Sequence, residues 1–181
     1  MAVYYQGERL IEADPGSFEA LNVYARDKTR VYFGGQVMEG IDPSSFVELT
    51  AGWAKDRSHA LYKGGIVEGA DPASLTVDKV DPDYALDSRQ VFYKGNLMPG
   101  VDPLGFTCID RRFCKNTTQV LFMNSLVSDV DAATFTVDSC STEYPKPLNQ
   151  MLCTAPRPSL PQLVVCQVHD KNRSFSLERK L

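Results

Sequence analysis

The sequence predicts an all-β protein made of tandem repeats, each about 29 residues long and built from short antiparallel β-hairpins. Three observations support this fold class. A hydrophobic triplet recurs at spacings of 28, 29, 31 and 29 residues. An aspartate follows each triplet start after eleven positions, and an apolar residue follows that aspartate after four more. We therefore expect five full units, with helix limited to single turns, starting near positions 3, 31, 60, 91 and 120.

Each unit opens with a short β-favouring run that is followed by turn residues. The opening triplets are Val3-Tyr4-Tyr5, Val31-Tyr32-Phe33, Ala60-Leu61-Tyr62, Val91-Phe92-Tyr93 and Val120-Leu121-Phe122. Glycine follows in the first four units, and Asn124 takes that position in the fifth. Glycine and asparagine tolerate a left-handed backbone better than other residues. Each opening run is therefore the first strand of a predicted β-hairpin.

An aspartate turn follows each hairpin. The sequence is Asp-Pro in four units and Asp131-Ala132 in the fifth, and the aspartates are Asp14, Asp42, Asp71, Asp102 and Asp131. Proline suits a tight turn, and the aspartate before it can accept hydrogen bonds from the amides one to three residues later. These aspartates could also be ligands for calcium. Calcium loops need several oxygen ligands close together, so the turn interpretation is favoured.

The rest of each unit alternates apolar and polar residues and ends in a second turn. The anchors are Phe18, Phe46, Leu75, Phe106 and Phe135, and each begins a strand with period two. The unit then closes on an aromatic, a small residue and a polar turn, as in Tyr24-Ala25-Arg26-Asp27 and Trp53-Ala54-Lys55-Asp56. The aromatic columns could stack on sugars. Interchangeable phenylalanine, tyrosine and tryptophan at one position favour packing in the core.

The fifth unit does not close on schedule. Residues 139–163 are rich in proline and cysteine, and we expect them to form an irregular excursion. A partial closing unit follows over residues 164–181. The organisation predicted for the chain is a single repeat-array domain, residues 1–181.

Composition restricts the possible partners. The net charge is −4 and the pI is about 5.2, which argues against nucleic acid as a ligand. No apolar run approaches the roughly 20 residues of a membrane helix, so we expect no membrane insertion. The hydrolase, zinc-protease and nucleotide-binding motifs are missing, and the cysteine and histidine spacings match no zinc site. We therefore expect no enzyme activity, no cofactor and no metal.

Five cysteines fall in the C-terminal half of the chain: Cys108, Cys114, Cys140, Cys153 and Cys166. In an oxidising compartment they could form disulfides, whereas cytosolic cysteines stay reduced. We expect a periplasmic or envelope-associated protein, with the cytoplasm as the other compartment open to it. The sequence starts directly on the first strand-like run, so export would require an upstream leader.

Residues 24–33, Tyr-Ala-Arg-Asp-Lys-Thr-Arg-Val-Tyr-Phe, resemble the DKNYY repeat family of bacterial proteins, and residues 170–172 read Asp-Lys-Asn. The opening triplet, glycine turn, Asp-Pro and anchor are also similar to that family's unit. The resemblance covers roughly residues 3–138 and 164–177, and residues 139–163 depart from it. It implies a bacterial origin and carries no catalytic residues. Genes for such proteins sometimes neighbour secreted antibacterial toxins, which suggests immunity proteins as one role.

The expected function is therefore protein binding, specifically as an immunity protein that neutralises a cognate toxin of the type VI secretion effector class. The alternative is an envelope protein with a structural or carbohydrate-binding role. Residues that differ between units are the expected contacts, because shared columns mainly maintain a repeat fold. The predicted contacts are a basic cluster and apolar residues of the excursion: Arg111, Arg112, Lys115, Tyr144, Leu148, Met151 and Leu152. The alternative, which terminal repeats favour, is that the excursion caps the last unit and covers its exposed strand edge.

Overall fold

The computed structural model describes residues 2–143 and 163–180, which belong to two compact units, Met1–Cys108 and Ile109–Leu181. The described residues form antiparallel strands and turns with no helix, so the predicted all-β repeat class is confirmed. No helix capable of crossing a membrane is found in this part of the chain. The prediction of a single array over residues 1–181 stays a prediction.

The strands are short, mostly two or three residues. Those of the first unit are β1 (Tyr4–Tyr5), β2 (Glu8–Arg9), β3 (Glu19–Ala20), β4 (Tyr24–Arg26), β5 (Val31–Phe33), β6 (Gln36–Val37), β7 (Val47–Glu48), β8 (Trp53–Lys55), β9 (Ala60–Tyr62), β10 (Gly65–Ile66), β11 (Thr76–Val77), β12 (Tyr84–Leu86), β13 (Val91–Tyr93), β14 (Asn96–Leu97) and β15 (Thr107–Cys108). Those of the second unit are β16 (Phe113–Lys115), β17 (Val120–Phe122), β18 (Ser125–Val127), β19 (Thr136–Glu143), β20 (Leu163–His169) and β21 (Ser174–Lys180).

One sheet topology repeats along the first unit. The strand orders are β3-β4-β5-β6, β7-β8-β9-β10 and β11-β12-β13-β14, and a two-stranded sheet, β1-β2, precedes them. Each four-stranded sheet takes two strands from one sequence repeat and two from the next, so sheets and sequence repeats are out of phase. In the second unit β16, β17 and β18 pair in the same order, and β19, β20 and β21 form a separate sheet.

Two-residue turns set the register of each hairpin. In the sheet around β9, Tyr62 lies opposite Gly65 across the turn Lys63-Gly64. Both turn residues have positive φ, 45° and 80°, which is the geometry of a type I′ turn. Asn124 has a φ of 68° at the corresponding place in the fifth unit, so its predicted left-handed role is confirmed.

The core lies between successive sheets. One buried cluster combines Tyr24, Val31 and Phe46 with Ala54 and Leu61 of the following sheet. A second cluster combines the equivalent residues one repeat later: Trp53, Ala60, Val67, Leu75, Ala85 and Phe92. In the second unit the core forms around Phe113, Val120, Phe135, Cys166 and Val168. The small residue of each closing strand therefore leaves room for the preceding repeat.

Aromatic rings link each repeat to the next. The closing and opening aromatics of one sheet lie opposite each other, with ring centroids 5.1 Å apart for Tyr24 and Phe33 and 4.8 Å for Trp53 and Tyr62. The Tyr24 hydroxyl donates to the Gly52 carbonyl and accepts from the Gly64 amide, both at 3.0 Å. These contacts explain why the closing column is fully buried, as the packing interpretation predicts.

The structure changes the bounds of the predicted excursion. Residues 139–143, which were expected to be irregular, continue strand β19, and Leu163 begins β20. After a register shift between Val137 and Ser139, these residues pair one by one with β20, so they extend the sheet. Within that sheet Cys140 lies opposite Cys166, and the two are joined by a disulfide. Cys108 and Cys114 are also disulfide-bonded, and Cys153 lies outside the described residues.

The disulfide gives a direct prediction. Alkylation under denaturing, non-reducing conditions should leave Cys140 and Cys166 unmodified, and a reductant should expose both. The bond joins residues 26 apart, so the Cys140→Ser, Cys166→Ser double variant should lose about 3 kcal/mol of unfolding free energy. Peptide mass mapping and denaturant unfolding are the measurements. Complete alkylation of both thiols before reduction would contradict the pairing.

Candidate partner-binding surface

The closing turn of each repeat holds a buried acceptor that serves two segments of backbone. Asp27 is 3% exposed, and its Oδ1 accepts the amides of Thr29 at 2.7 Å and Arg30 at 2.8 Å. Its Oδ2 accepts the amide of Asp14 at 3.0 Å and the hydroxyl of Tyr32 at 2.7 Å. The bond to Asp14 joins the closing turn to the Asp-Pro turn of the same sequence repeat.

The same link recurs along the chain. The amides of Asp42, Asp71 and Asp131 each donate to the second carboxylate oxygen of a closing-turn aspartate, at 2.8, 2.8 and 3.0 Å. The acceptors are Asp56, Asp87 and Asp170. Asn116 holds the position in the remaining repeat, where its Oδ1 accepts the amides of Thr118 and Gln119. This column is therefore part of the fold.

The Asp-Pro turns are capped as predicted. The Asp42 side chain accepts the Ser44 amide at 2.9 Å and the Ser45 hydroxyl at 2.7 Å. Ser45 in turn accepts the Arg57 amide at 3.0 Å, a second bond between the two turns of the repeat. The amide bond two residues on is also present at Asp14, Asp71, Asp102 and Asp131. The turn interpretation of these aspartates is confirmed.

These hydrogen bonds shift the acidity of the aspartates. Burial by itself raises the pKa of Asp27, but the bonds from the Asp14 amide, the Tyr32 hydroxyl and Thr29 outweigh it, and the net pKa lies well below 3.8. The hydroxyls of Ser45 and Ser44, with the Ser44 amide, lower the pKa of Asp42 to about 2. Both turns thus favour ionised carboxylates.

The lowered pKa values predict acid sensitivity. A carboxylate whose folded pKa is lowered contributes its full stabilisation above its unfolded pKa, near 3.9, and loses it as the pH falls through the folded pKa. The melting temperature should be level from about pH 7 to pH 5 and should fall steadily toward about pH 2. Asp42→Asn should reduce the slope between about pH 4 and pH 2. A melting temperature that rises or stays constant over that interval would contradict the assignment.

Lys115 has a structural contact that sequence reasoning missed. Its Nζ donates to the Ala132 carbonyl at 3.0 Å. Lys55 makes the equivalent bonds to the carbonyls of Pro72 and Leu75 at 2.9 and 3.2 Å. Arg26 reaches Pro43 and Phe46 in the same way. The three cations occupy one repeat position, and each caps an aspartate turn. Their recurrence at that position was the sequence signal that could have revealed this contact.

The structure places Arg111 and Arg112 in different environments, and it does not describe the remaining predicted contacts. Arg111 is exposed, whereas Arg112 is half-buried and lies 3.5 Å from Asp110. Asp110 also accepts the amides of Arg112 and Phe113, so it organises the loop that presents Arg111. The remaining predicted contacts lie outside the described residues: Tyr144, Leu148, Met151 and Leu152. Their role as contacts stays a prediction.

Apolar residues are exposed in the loops between the first and second strands of the sheets. Val23 and Val80 are each 45% exposed in the first unit, and Ile109 is 41% exposed in the second. These loops also differ most in sequence between repeats, at residues 21–23, 49–52, 78–83 and 109–112. In the described part of the chain, no group of three or more His, Cys, Asp or Glu residues is placed to hold a metal ion.

Comparison with known proteins gives one result. The DKNYY family matches residues 1–113 and 24–152, two overlapping matches that follow from the internal repeat. The matches do not include residues 164–177, where the Asp-Lys-Asn sequence also occurs. No curated protein and no solved structure matches the chain. Since the family matches extend over most of the sequence, the chain belongs to the DKNYY family.

Proposed function

We propose that this chain is a non-enzymatic protein-binding repeat protein, an immunity protein that neutralises a cognate toxin of the type VI secretion effector class. One observation carries the proposal. The polar and aromatic side chains shared by the repeats are engaged in turns and packing, as Asp27 and Trp53 illustrate. The exposed residues that differ between repeats remain for recognition, and repeat proteins generally bind through such residues.

The divergent loops supply suitable chemistry. Exposed Val80 and Ile109 offer apolar contact, and exposed Arg111 can form paired hydrogen bonds with a carboxylate of a toxin. By contrast, the closing aromatics are buried, so they cannot serve as a platform for sugar rings. This favours a protein ligand over a carbohydrate.

The proposed compartment is the periplasm or envelope. The Cys140–Cys166 disulfide supports this location, because disulfides persist in oxidising compartments and are rare in the bacterial cytosol. A toxin delivered to the envelope would meet its inhibitor there.

The test is capture of a protein from an extract of the organism that encodes this chain. Immobilised wild-type chain should retain one protein in stoichiometric amount, and mass spectrometry identifies it. Arg111→Glu should retain much less of it at an unchanged melting temperature, since Arg111 is exposed. Arg89→Glu, an exposed arginine on a closing turn, is the matched control and should retain it fully. Retention of polysaccharide without protein would overturn the proposal.

A further inference from the structure

A basic side chain at the end of a closing strand caps the aspartate turn that follows it in sequence. Arg26, Lys55 and Lys115 are the third residues of β4, β8 and β16, and each donates to a carbonyl of such a turn. Arg26 and Lys55 each bridge two carbonyls, that of the proline after the aspartate and that of the apolar anchor. This pair of carbonyls therefore accepts one ammonium or guanidinium group.

Leu86 takes the place of the cation at the end of β12, although the next turn keeps its position. The equivalent carbonyls belong to Pro103 and Phe106. The ring of Phe106 lies 5.4 Å from that of Tyr84, and the corresponding distance two repeats earlier is 5.3 Å. Leucine is shorter than lysine and has no donor group. Within residues 2–143 and 163–180, no lysine or arginine side chain donates to either carbonyl.

The same turn offers negative charge and apolar surface beside the two carbonyls. Asp102 is exposed at the start of the turn, and Leu104 is 67% exposed. The residues at the position of Leu104 in the other repeats are small: Gly16, Ser44, Ala73 and Ala133. Lysine and arginine lay their hydrocarbon stems on apolar surface while the charged group reaches polar partners. A free metal ion would use the oxygens and leave Leu104 exposed, so a basic side chain suits this turn better.

This feature lies inside the repeat array and does not depend on a chain end. Strand β12 pairs with β11 on one side and with β13 on the other, so its sheet is complete. The position that supplies the cation in other repeats is present here, and it holds Leu86. The sequence of this repeat, and not a missing neighbour, therefore leaves the two carbonyls without a cap from that position.

We propose that the turn at residues 102–106 receives a lysine or arginine side chain from a different protein. The cation donates to the carbonyls of Pro103 and Phe106, its stem lies on Leu104, and the Asp102 carboxylate adds electrostatic attraction. The chain itself carries a net charge of −4, which favours a basic partner over a second copy. The partner thus supplies in trans the cap that Arg26 supplies in cis.

This inference rests on the proposed function only for the identity of the partner. It adds a contact at an Asp-Pro turn to those expected from the divergent loops. A lysine peptide that does not bind at this turn would refute the inference and leave capture of a toxin intact. Failure to capture any protein would refute the proposed function and leave the peptide result intact. The two proposals therefore fail by different results.

The first test titrates a synthetic peptide, acetyl-Leu-Lys-Leu-amide, into the isotopically labelled full chain at constant ionic strength. The amide signals of Leu104 and Thr107, which follow the two carbonyls in sequence, should shift. Those of Ser44 and Val47 follow carbonyls already bonded to Arg26, so they should not move. A peptide with norleucine in place of lysine keeps the stem without the charge and should bind at least about tenfold more weakly.

Three results would overturn the proposal. They are equal shifts at the two turns, equal binding of the lysine and norleucine peptides, and the same shifts with potassium chloride alone. The last result would assign the two carbonyls to a metal ion.

Leu86→Lys tests the same turn from within the chain. The new ammonium group should cap the carbonyls of Pro103 and Phe106, raise the melting temperature by about 2–4 °C and abolish the peptide shifts. Leu97→Lys, at an exposed leucine of β14, is the matched control and should change neither. In the capture experiment Leu86→Lys should retain at least about tenfold less protein, and Leu97→Lys should retain it fully. Peptide binding by Leu86→Lys that equals the wild-type value would refute the proposal, and the wild-type titration decides the question should this variant not fold.

Discussion

Replacing Gly64 with alanine is expected to cost about 3 kcal/mol of unfolding free energy. Gly64 has a φ of +80°, a region that costs an ordinary residue roughly 1–2 kcal/mol. The added Cβ would also lie 2.4 Å from Cδ1 of Phe33. That ring packs against Tyr24 at 5.1 Å, so it cannot move aside without disturbing the contact between repeats.

Gly40 provides the matched control. Its φ is +79°, and a Cβ there would meet no heavy atom within 4 Å. Gly40→Ala should therefore show only the backbone cost, about 1 kcal/mol. Urea denaturation measures the difference in unfolding free energy between the two variants. That difference reports how closely Phe33 packs on Gly64 of the next repeat. Equal losses at the two positions would mean that this packing contributes little.

Asp27→Ala is expected to destabilise the chain by about 3 kcal/mol or more. The substitution removes the acceptor of the Asp14, Thr29 and Arg30 amides and of the Tyr32 hydroxyl. Asp27 is buried, so water cannot freely replace it, and each unsatisfied buried donor costs about 1–3 kcal/mol.

Asp27→Asn is the conservative comparison. Asparagine keeps one acceptor oxygen, and Asn116 already uses this oxygen for the amides of Thr118 and Gln119 in another repeat. We expect a loss of about 1 kcal/mol, confined to the bonds made by the second oxygen. Chemical denaturation measures the unfolding free energy of the asparagine and alanine variants. A loss from asparagine that equals the loss from alanine would show that charge, and not hydrogen-bond geometry, dominates.

The local features of the fold could be predicted from sequence. Asp42-Pro43 and the turn at Lys63-Gly64 use residues whose conformational preferences act over a few positions, and the fixed repeat period placed the strands. The aromatic columns were also assigned to the core, where Trp53 and Tyr84 lie. In each case the causes of the structure are close in sequence or are repeated.

The side-chain links between turns could not be predicted in the same way. The bond from the Asp42 amide to Asp56 joins residues 14 apart, and its geometry depends on the folded repeat. Lys115 looked like part of a surface cluster, because its partner carbonyl at Ala132 is 17 residues away. The recurrence of Arg26, Lys55 and Lys115 at one position was visible in the sequence and identifies the column in hindsight.

The exposure of strand β1 could not be predicted from the sequence either. The sequence gives Val3-Tyr4-Tyr5 the same appearance as every other opening triplet. Among the residues that the structure describes, β1 pairs with β2 alone, and Tyr4 is exposed where Tyr32 is buried.

Neutralisation of a toxin is the most direct measurement of the proposed role. The gene of the protein captured by the immobilised chain is expressed in a sensitive bacterium, with its product directed to the periplasm, alone or together with this chain. The account predicts that the protein alone stops growth, that the wild-type chain restores it, and that Arg111→Glu restores it poorly while Arg89→Glu restores it fully. Growth arrest that the wild-type chain does not relieve, although the two proteins bind, would contradict the account.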